Sequence, residues 1–247
     1  MQHPERLDNS LIEDYAENFF GYGALSGKYW FVGMEEGGGD TFREVDARMR
    51  SWRERGRREL EDVCEFSATV GLHQWFGPKA RLQRTWSRYI RVICGMEGIS
   101  ADREWIRRYQ AESLGRFEGE SSLMNLLPFP SRSLKHWHYA NLSELPHLGS
   151  RNACMDHYAE KRAKRLRSRI LKERPRLVLF ASMDARYRKW WQTIADVEFK
   201  PRSFAGKAFD FGIMGSTAFV VTQHPAVRSM SNEFFQTVGK YVAERVR

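Results

Sequence analysis

Phe31-Val32-Gly33-Met34-Glu35-Glu36-Gly37-Gly38-Gly39-Asp40 is the stretch on which the fold reading turns. The apolar run that begins at Trp30 ends at Gly33 and gives way to two carboxylates and three consecutive glycines. A short apolar run bounded in this way predicts a buried strand over 29–34, and the glycines beyond it let the backbone take positive φ and approach a ligand closely. Open α/β sheets gather their chemistry at the carboxyl ends of strands, so Glu35 and Glu36 stand where such a fold places a site.

Outward from this loop, helical and strand patterns alternate. Helices are predicted over 11–20, 80–96 and 102–114, and the highly charged segment 42–66 also reads as helical. Leu82, Trp86, Tyr89, Ile90 and Ile93 recur at helical spacing within the second of these. A second apolar run over 122–127 ends at Pro128-Phe129-Pro130. A long basic helix over 151–173 is stopped by Arg174-Pro175, and Leu177-Val178-Leu179-Phe180 follows as a buried strand. A helix near 184–195, a pairing segment over 209–213 and a strand over 217–222 come next, closed by Gln223-His224-Pro225. A helix over about 231–246 ends the chain. This alternation predicts an α/β fold: one domain over residues 1–247, three-layered α/β/α, with a mainly parallel central sheet. No repeat, low-complexity tract or linker interrupts it.

The chain has 247 residues, 42% of them hydrophobic, enough for a packed core. No apolar stretch has bilayer length and the start MQHPERLDNS is not a signal peptide, so a cytoplasmic protein is expected. Three widely spaced cysteines, Cys64, Cys94 and Cys154, argue against a disulfide framework and a four-thiolate cluster. Forty Lys+Arg against 31 Asp+Glu leave a net charge of +9, which favours polyanionic partners, nucleic acid first.

Three apolar runs end in polar loops that carry Glu35-Glu36, Asn125 and His224. In a parallel sheet such ends converge on one rim, so a carboxylate, an amide and an imidazole would share a pocket. That set suits cleavage of an N-glycosidic bond. A carboxylate orients water and stabilises positive charge on the sugar, a His donor stabilises the departing base, and an amide matches a pyrimidine's Watson–Crick edge. Trp75-Phe76 supplies an aromatic to stack on an extruded base, with core packing as its other use.

These motifs, in this order, resemble the uracil-DNA glycosylase superfamily over most of the chain. Gly33-Met34-Glu35-Glu36-Gly37 is similar to that superfamily's first motif, where Gly precedes an Asp or Asn that handles the water. Glu35 stands at that position, with Glu36 available to share the role. Gly33, Met34, Gly37 and Gly38 would line the substrate pocket. Trp75-Phe76-Gly77 resembles the stacking segment, Phe76 being the closer match, and Asn125 in Met124-Asn125-Leu126-Leu127 matches the base-reading Asn. Pro175-Arg176-Leu177-Val178-Leu179 resembles the strand before the last helical crossover. His224-Pro225-Ala226-Val227-Arg228-Ser229 resembles the final loop, whose His contacts the base and whose tip wedges into the duplex; Arg228 falls at the wedge. The Gly-Met opening and the Arg wedge are closest to the single-strand-selective monofunctional branch. Glu36 replaces the Pro usual after the catalytic residue, Ala226 replaces the loop's Ser, and the missing fourth cysteine departs from the iron–sulfur branches.

The resemblance implies a monomeric DNA glycosylase with DNA as its partner and no cofactor, leaving an abasic site. None of the three loops holds a lysine, so a Schiff-base lyase step has no support. In the most uracil-strict branch a bulky Tyr in the first motif blocks the pyrimidine C5 position, and Gly37 stands there instead. A C5-bulky base is therefore favoured, such as the glucosylated hydroxymethylcytosine of phage DNA that anti-phage glycosylases remove. Plain uracil in base excision repair, with the glycines only shaping a turn, is the alternative.

Two arginine-rich runs are candidate phosphate tracks: Arg48, Arg50, Arg53, Arg55, Arg57 and Arg58, then Lys161 to Arg174. Arg132 and Lys135, just beyond Asn125, are nearer candidates for DNA contacts, with Arg228 and Ser229. His136-Trp137-His138 lacks a third ligand and no phosphate-binding glycine motif is present, so neither metal nor nucleotide cofactor is expected. The rival readings are an inactive nucleic-acid-binding module on the same fold and another nucleotide-directed hydrolase.

Overall fold

A computed structural model describes residues 5–246. In chain order the elements are α1 (Asn9–Asn18), β1 (Gly21–Gly23), β2 (Tyr29–Gly33), α2 (Phe42–Glu54), β3 (Leu60–Glu61) and α3 (Val63–Thr69). Then come α4 (Arg84–Glu97), α5 (Arg103–Glu112), β4 (Ser121–Asn125), α6 (Tyr139–Leu142), α7 (Arg151–Glu173) and β5 (Leu177–Phe180). The last are α8 (Ala185–Ala195), β6 (Lys200–Phe204), β7 (Lys207–Met214), β8 (Thr217–Thr222) and α9 (Asn232–Ala243). The α/β class and the long elements agree with the sequence pattern.

The eight strands among the described residues form one sheet, in the order β3-β1-β4-β2-β5-β8-β7-β6. Its centre, β4-β2-β5-β8, is parallel throughout. The sheet as a whole is mixed, because β1 runs antiparallel to β4 and the β6–β7–β8 wing is an antiparallel meander. β2, β5 and β8 are buried on both faces, which explains their unbroken apolar sequences. On one face, Tyr29, Phe31, Leu179 and Val220 pack against α1, α2, α3, α4 and α9. Trp30, Val32, Val178, Phe180 and Phe219 on the other face pack against α7 and α8. Among the described residues no helix is long and apolar enough to cross a membrane.

The charged segment 42–66 is not one helix. Gly56 (φ 97) and Arg57 (φ 56) adopt left-handed backbone, ending α2 and freeing Leu60–Glu61 to pair with β1. Asp62 then caps α3 through the Cys64 and Glu65 amides. β1 and β3 are too short to show an alternating pattern. β6, largely exposed and polar, carries none of the apolar signal on which strand recognition rests. α4 and α9 pack closely at Gly95 and Gly239, where a methyl group would overlap the carbonyls of Gln236 and Val92 respectively.

Candidate active-site rim

Parallel registry brings the carboxyl ends of β2, β4, β5 and β8 to one rim, as the strand-end pattern predicts. Gly33 stands beside Asn125 in the sheet. Hydrogen bonding continues past the strands: Leu126 N donates to Gly33 O (3.0 Å), Leu127 N to Met34 O (2.8 Å) and Ser131 N to Glu36 O (2.8 Å). The acidic loop is thus zipped to the 126–131 segment, and its backbone is fixed.

The two carboxylates of the loop take different environments. Glu35 is sealed, its side chain 6% exposed and ion-paired with the buried Arg151 at the start of α7. Arg151 also donates to Ser131 Oγ (3.0 Å) and to the Ser133 (2.9 Å) and His136 (2.8 Å) carbonyls, and lies over the Trp137 ring. Burial pushes the Glu35 carboxyl up to about 7, against the pull of Arg151. Glu36 is 22% exposed; it accepts from the Tyr22 hydroxyl (2.9 and 3.0 Å) and from buried Arg48 (2.8 Å). An immobilised carboxylate with one side open to solvent is suited to orienting water.

Asn125 is half-buried at the end of β4. With its NH2 turned towards acceptors, the amide donates to the carbonyls of Met124 (3.2 Å) and Glu35 (3.3 Å), leaving Oδ1 as the free acceptor. A Cβ at Gly33 would lie 2.6 Å from the outer end of the Asn125 amide, so glycine here leaves that side chain its place. Arg162, buried in α7, holds this corner from behind by donating to the carbonyls of Leu126 (2.6 Å) and Asn125 (3.0 Å). The loop glycines divide. Gly38 (φ 99) and Gly39 (φ 71) need left-handed backbone and abut Glu44 and Pro130, whereas a Cβ at Gly37 would meet nothing within 4 Å. Only Gly37 opens space.

His224 follows β8. Ala226 N–H donates to its Nδ1 (3.1 Å), so the ring proton resides on Nε2. Burial and the adjacent Arg88 charge hold the imidazole below its ordinary pKa, and the neutral ring presents an N–H donor. The loop beyond is anchored by Arg88 of α4, which donates to the carbonyls of Pro225, Val227 (2.9 Å) and Met230. Val227, Arg228 and Ser229 remain exposed at the tip. Beside it, a cavity of about 550 Å³ is lined by Leu82, Arg84, Ser87, Arg88, Arg228 and Asn232. Phe76 is half-buried on the α4 side and packs against the core, its ring 5.9 Å from that of Trp86.

The long basic runs are not free phosphate tracks. Arg48 and Arg162 are buried, Arg55 and Arg57 pair with Glu61, Glu65 and Asp14, and Arg50 with Asp46. On α7, Lys161, Arg165, Arg167 and Arg169 pair with Glu17, Glu59 and Asp196. These charges are spent on pairs within the protein. Exposed cations nearer the rim are Arg84, Lys135 and Arg228, with Arg132 only loosely paired, 3.9 Å from Asp40. His138 Nδ1 and His136 Nε2 lie 3.0 Å apart in a hydrogen bond to each other.

Sequence reasoning missed Arg151, Tyr22, Arg48 and Arg88. One signal was available for the arginines of α7: Arg151 and Arg162 fall on the helix's apolar stripe with Cys154, Met155, Tyr158, Ala159 and Leu166. Compared with known proteins, the chain matches no family model and no curated protein.

Proposed function

We propose that this chain is a monofunctional DNA glycosylase that flips a pyrimidine into the rim pocket and hydrolyses its N-glycosidic bond. The observation that carries the reading is the neutral His224, its Nδ1 held by the Ala226 amide at the base of an anchored, exposed loop and on the same rim as a fixed carboxylate and amide. In this reading Glu36 orients the attacking water, takes its proton and stabilises positive charge developing on the sugar. Water's oxygen bonds to C1′ as the bond from C1′ to the base nitrogen breaks. His224 Nε2–H donates to the base oxygen on which negative charge collects. Asn125 reads the base edge, Phe76 stacks on it, and the Val227–Ser229 tip fills the vacated space. Glu35, closed off by Arg151, holds the loop rather than the water.

The open space at Gly37 supports a C5-substituted base, up to a glucosylated hydroxymethylcytosine. Mass spectrometry of bases released from a panel of DNAs, containing uracil, hydroxymethylcytosine or glucosylated hydroxymethylcytosine, tests both levels of the reading. Release by the wild type should fall about 10²-fold or more in Glu36→Gln while DNA binding persists. DNA binding with no release of any base would instead identify an inactive binding module. Release of uracil alone would overturn the C5-bulky preference and leave the glycosylase.

A further inference from the structure

Away from the rim, Glu13 of α1, His147 of the 3-10 turn Pro146–Leu148 and His157 of α7 lie together, with one potential ligand atom from each within 4.8 Å of the others. The two imidazoles stack face to face, 3.9 Å between centroids and 7° between planes. His147 Nε2 lies 3.1 Å from Glu13 Oε1. The Tyr158 hydroxyl donates to Glu13 Oε2 (2.6 Å) and sits 2.9 Å from His147 Nε2, fixing the carboxylate so that Oε1 is turned to the imidazoles. A carboxylate steadied by a neighbouring hydroxyl is a common outer-shell arrangement around a metal ion.

We propose that Glu13, His147 and His157 form a binding site for a zinc-like divalent transition-metal ion. Two imidazole nitrogens and one carboxylate oxygen suit zinc and its neighbours in the first transition row, and disfavour calcium and magnesium, which take oxygen shells. Tetrahedral zinc with bonds of about 2.0–2.1 Å needs ligand atoms about 3.3 Å apart. Partly exposed Glu13 and exposed His157 have the freedom to close that gap, His157 by turning its ring out of the stack so that the in-plane lone pairs of both imidazoles meet one ion. Three protein ligands leave a fourth position open to water. The ion would cross-link α1, the 146–148 turn and α7 just behind the α7 end from which Arg151 holds Glu35. This site stands independently of the glycosylase reading.

Zinc chloride titrated into the chelator-treated full-length protein, followed by calorimetry above the titration range of imidazole, tests it. One equivalent should bind and raise the melting temperature. His157→Ala and Glu13→Gln should each weaken binding about tenfold or more and abolish the thermal shift, while a His136→Ala/His138→Ala double variant retains both. His157 is exposed, so its replacement leaves folding intact. Absence of a saturable one-equivalent site overturns the proposal, as does a site lost with His136 and His138 but kept in His157→Ala.

Discussion

Replacing Glu35 by Gln removes a charge that the fold holds unfavourably. Burial carries the carboxyl from its ordinary 4.5 to about 7 even with Arg151 alongside. A difference of about 2.5 in pKa, at about 1.4 kcal/mol for each tenfold in proton affinity, makes ionised Glu35 cost the folded state about 3 kcal/mol. Between those two values the folded protein binds more protons than the unfolded chain, so this residue makes stability fall as pH rises. Its contribution is flat below about 4.5 and has been fully lost above about 7. Gln keeps the shape and an acceptor for Arg151 but does not titrate. Urea unfolding followed by circular dichroism, at closely spaced pH values, should therefore show Glu35→Gln gaining about 3 kcal/mol on the wild type between acid and mildly alkaline solution. Parallel curves over that interval would refute the reasoning. A gap that shrinks as pH rises would refute it more sharply, because it would mean that Arg151 holds Glu35 ionised and stabilising.

Gly33→Ala places a methyl group 2.6 Å from the outer end of the Asn125 amide, the mobile end of a side chain; the amide should swing away, cutting base release about tenfold or more while unfolding free energy changes by about 1 kcal/mol or less. Arg88→Ala removes the charged donor from three loop carbonyls and should cost about 3 kcal/mol, with hydrogen exchange accelerated at Val227 and Met230. Gly37→Tyr enters open space and should leave melting unchanged while abolishing release of a glucosylated base and sparing uracil, read from the same base-release assay. Arg228→Ala, at an exposed tip, should weaken DNA binding and reduce the slope of log affinity against log salt by about 1.

The central strands were legible because burial on both faces writes itself as uninterrupted apolar sequence, in Trp30 to Val32, Leu177 to Phe180 and Ala218 to Val221. The end of α7 was legible because its stop is chemical, at Arg174-Pro175. The wings were not, since β1 and β3 owe their strand state to neighbours rather than to their own residues. At the rim, the pattern placed Glu35, Asn125 and His224 on one edge. It gave no access to which carboxylate faces solvent, because that depends on Arg151, far from the loop in sequence, and on Arg48 of the next helix, both resembling their exposed neighbours in composition. The same blindness made the arginine runs read as a polyanion surface when most of those charges are buried or held in ion pairs within the protein.

The loop after β8 is mounted on the pair of helices that pack most closely, α4 against α9 at Gly95 and Gly239, through a guanidinium that grips three of its carbonyls. A tip built this way has little mechanical compliance. Load applied to Val227 or Arg228 passes through Arg88 into two helices locked backbone to backbone, instead of being absorbed by bending of the loop. Pressure on the tip would therefore displace the loop little.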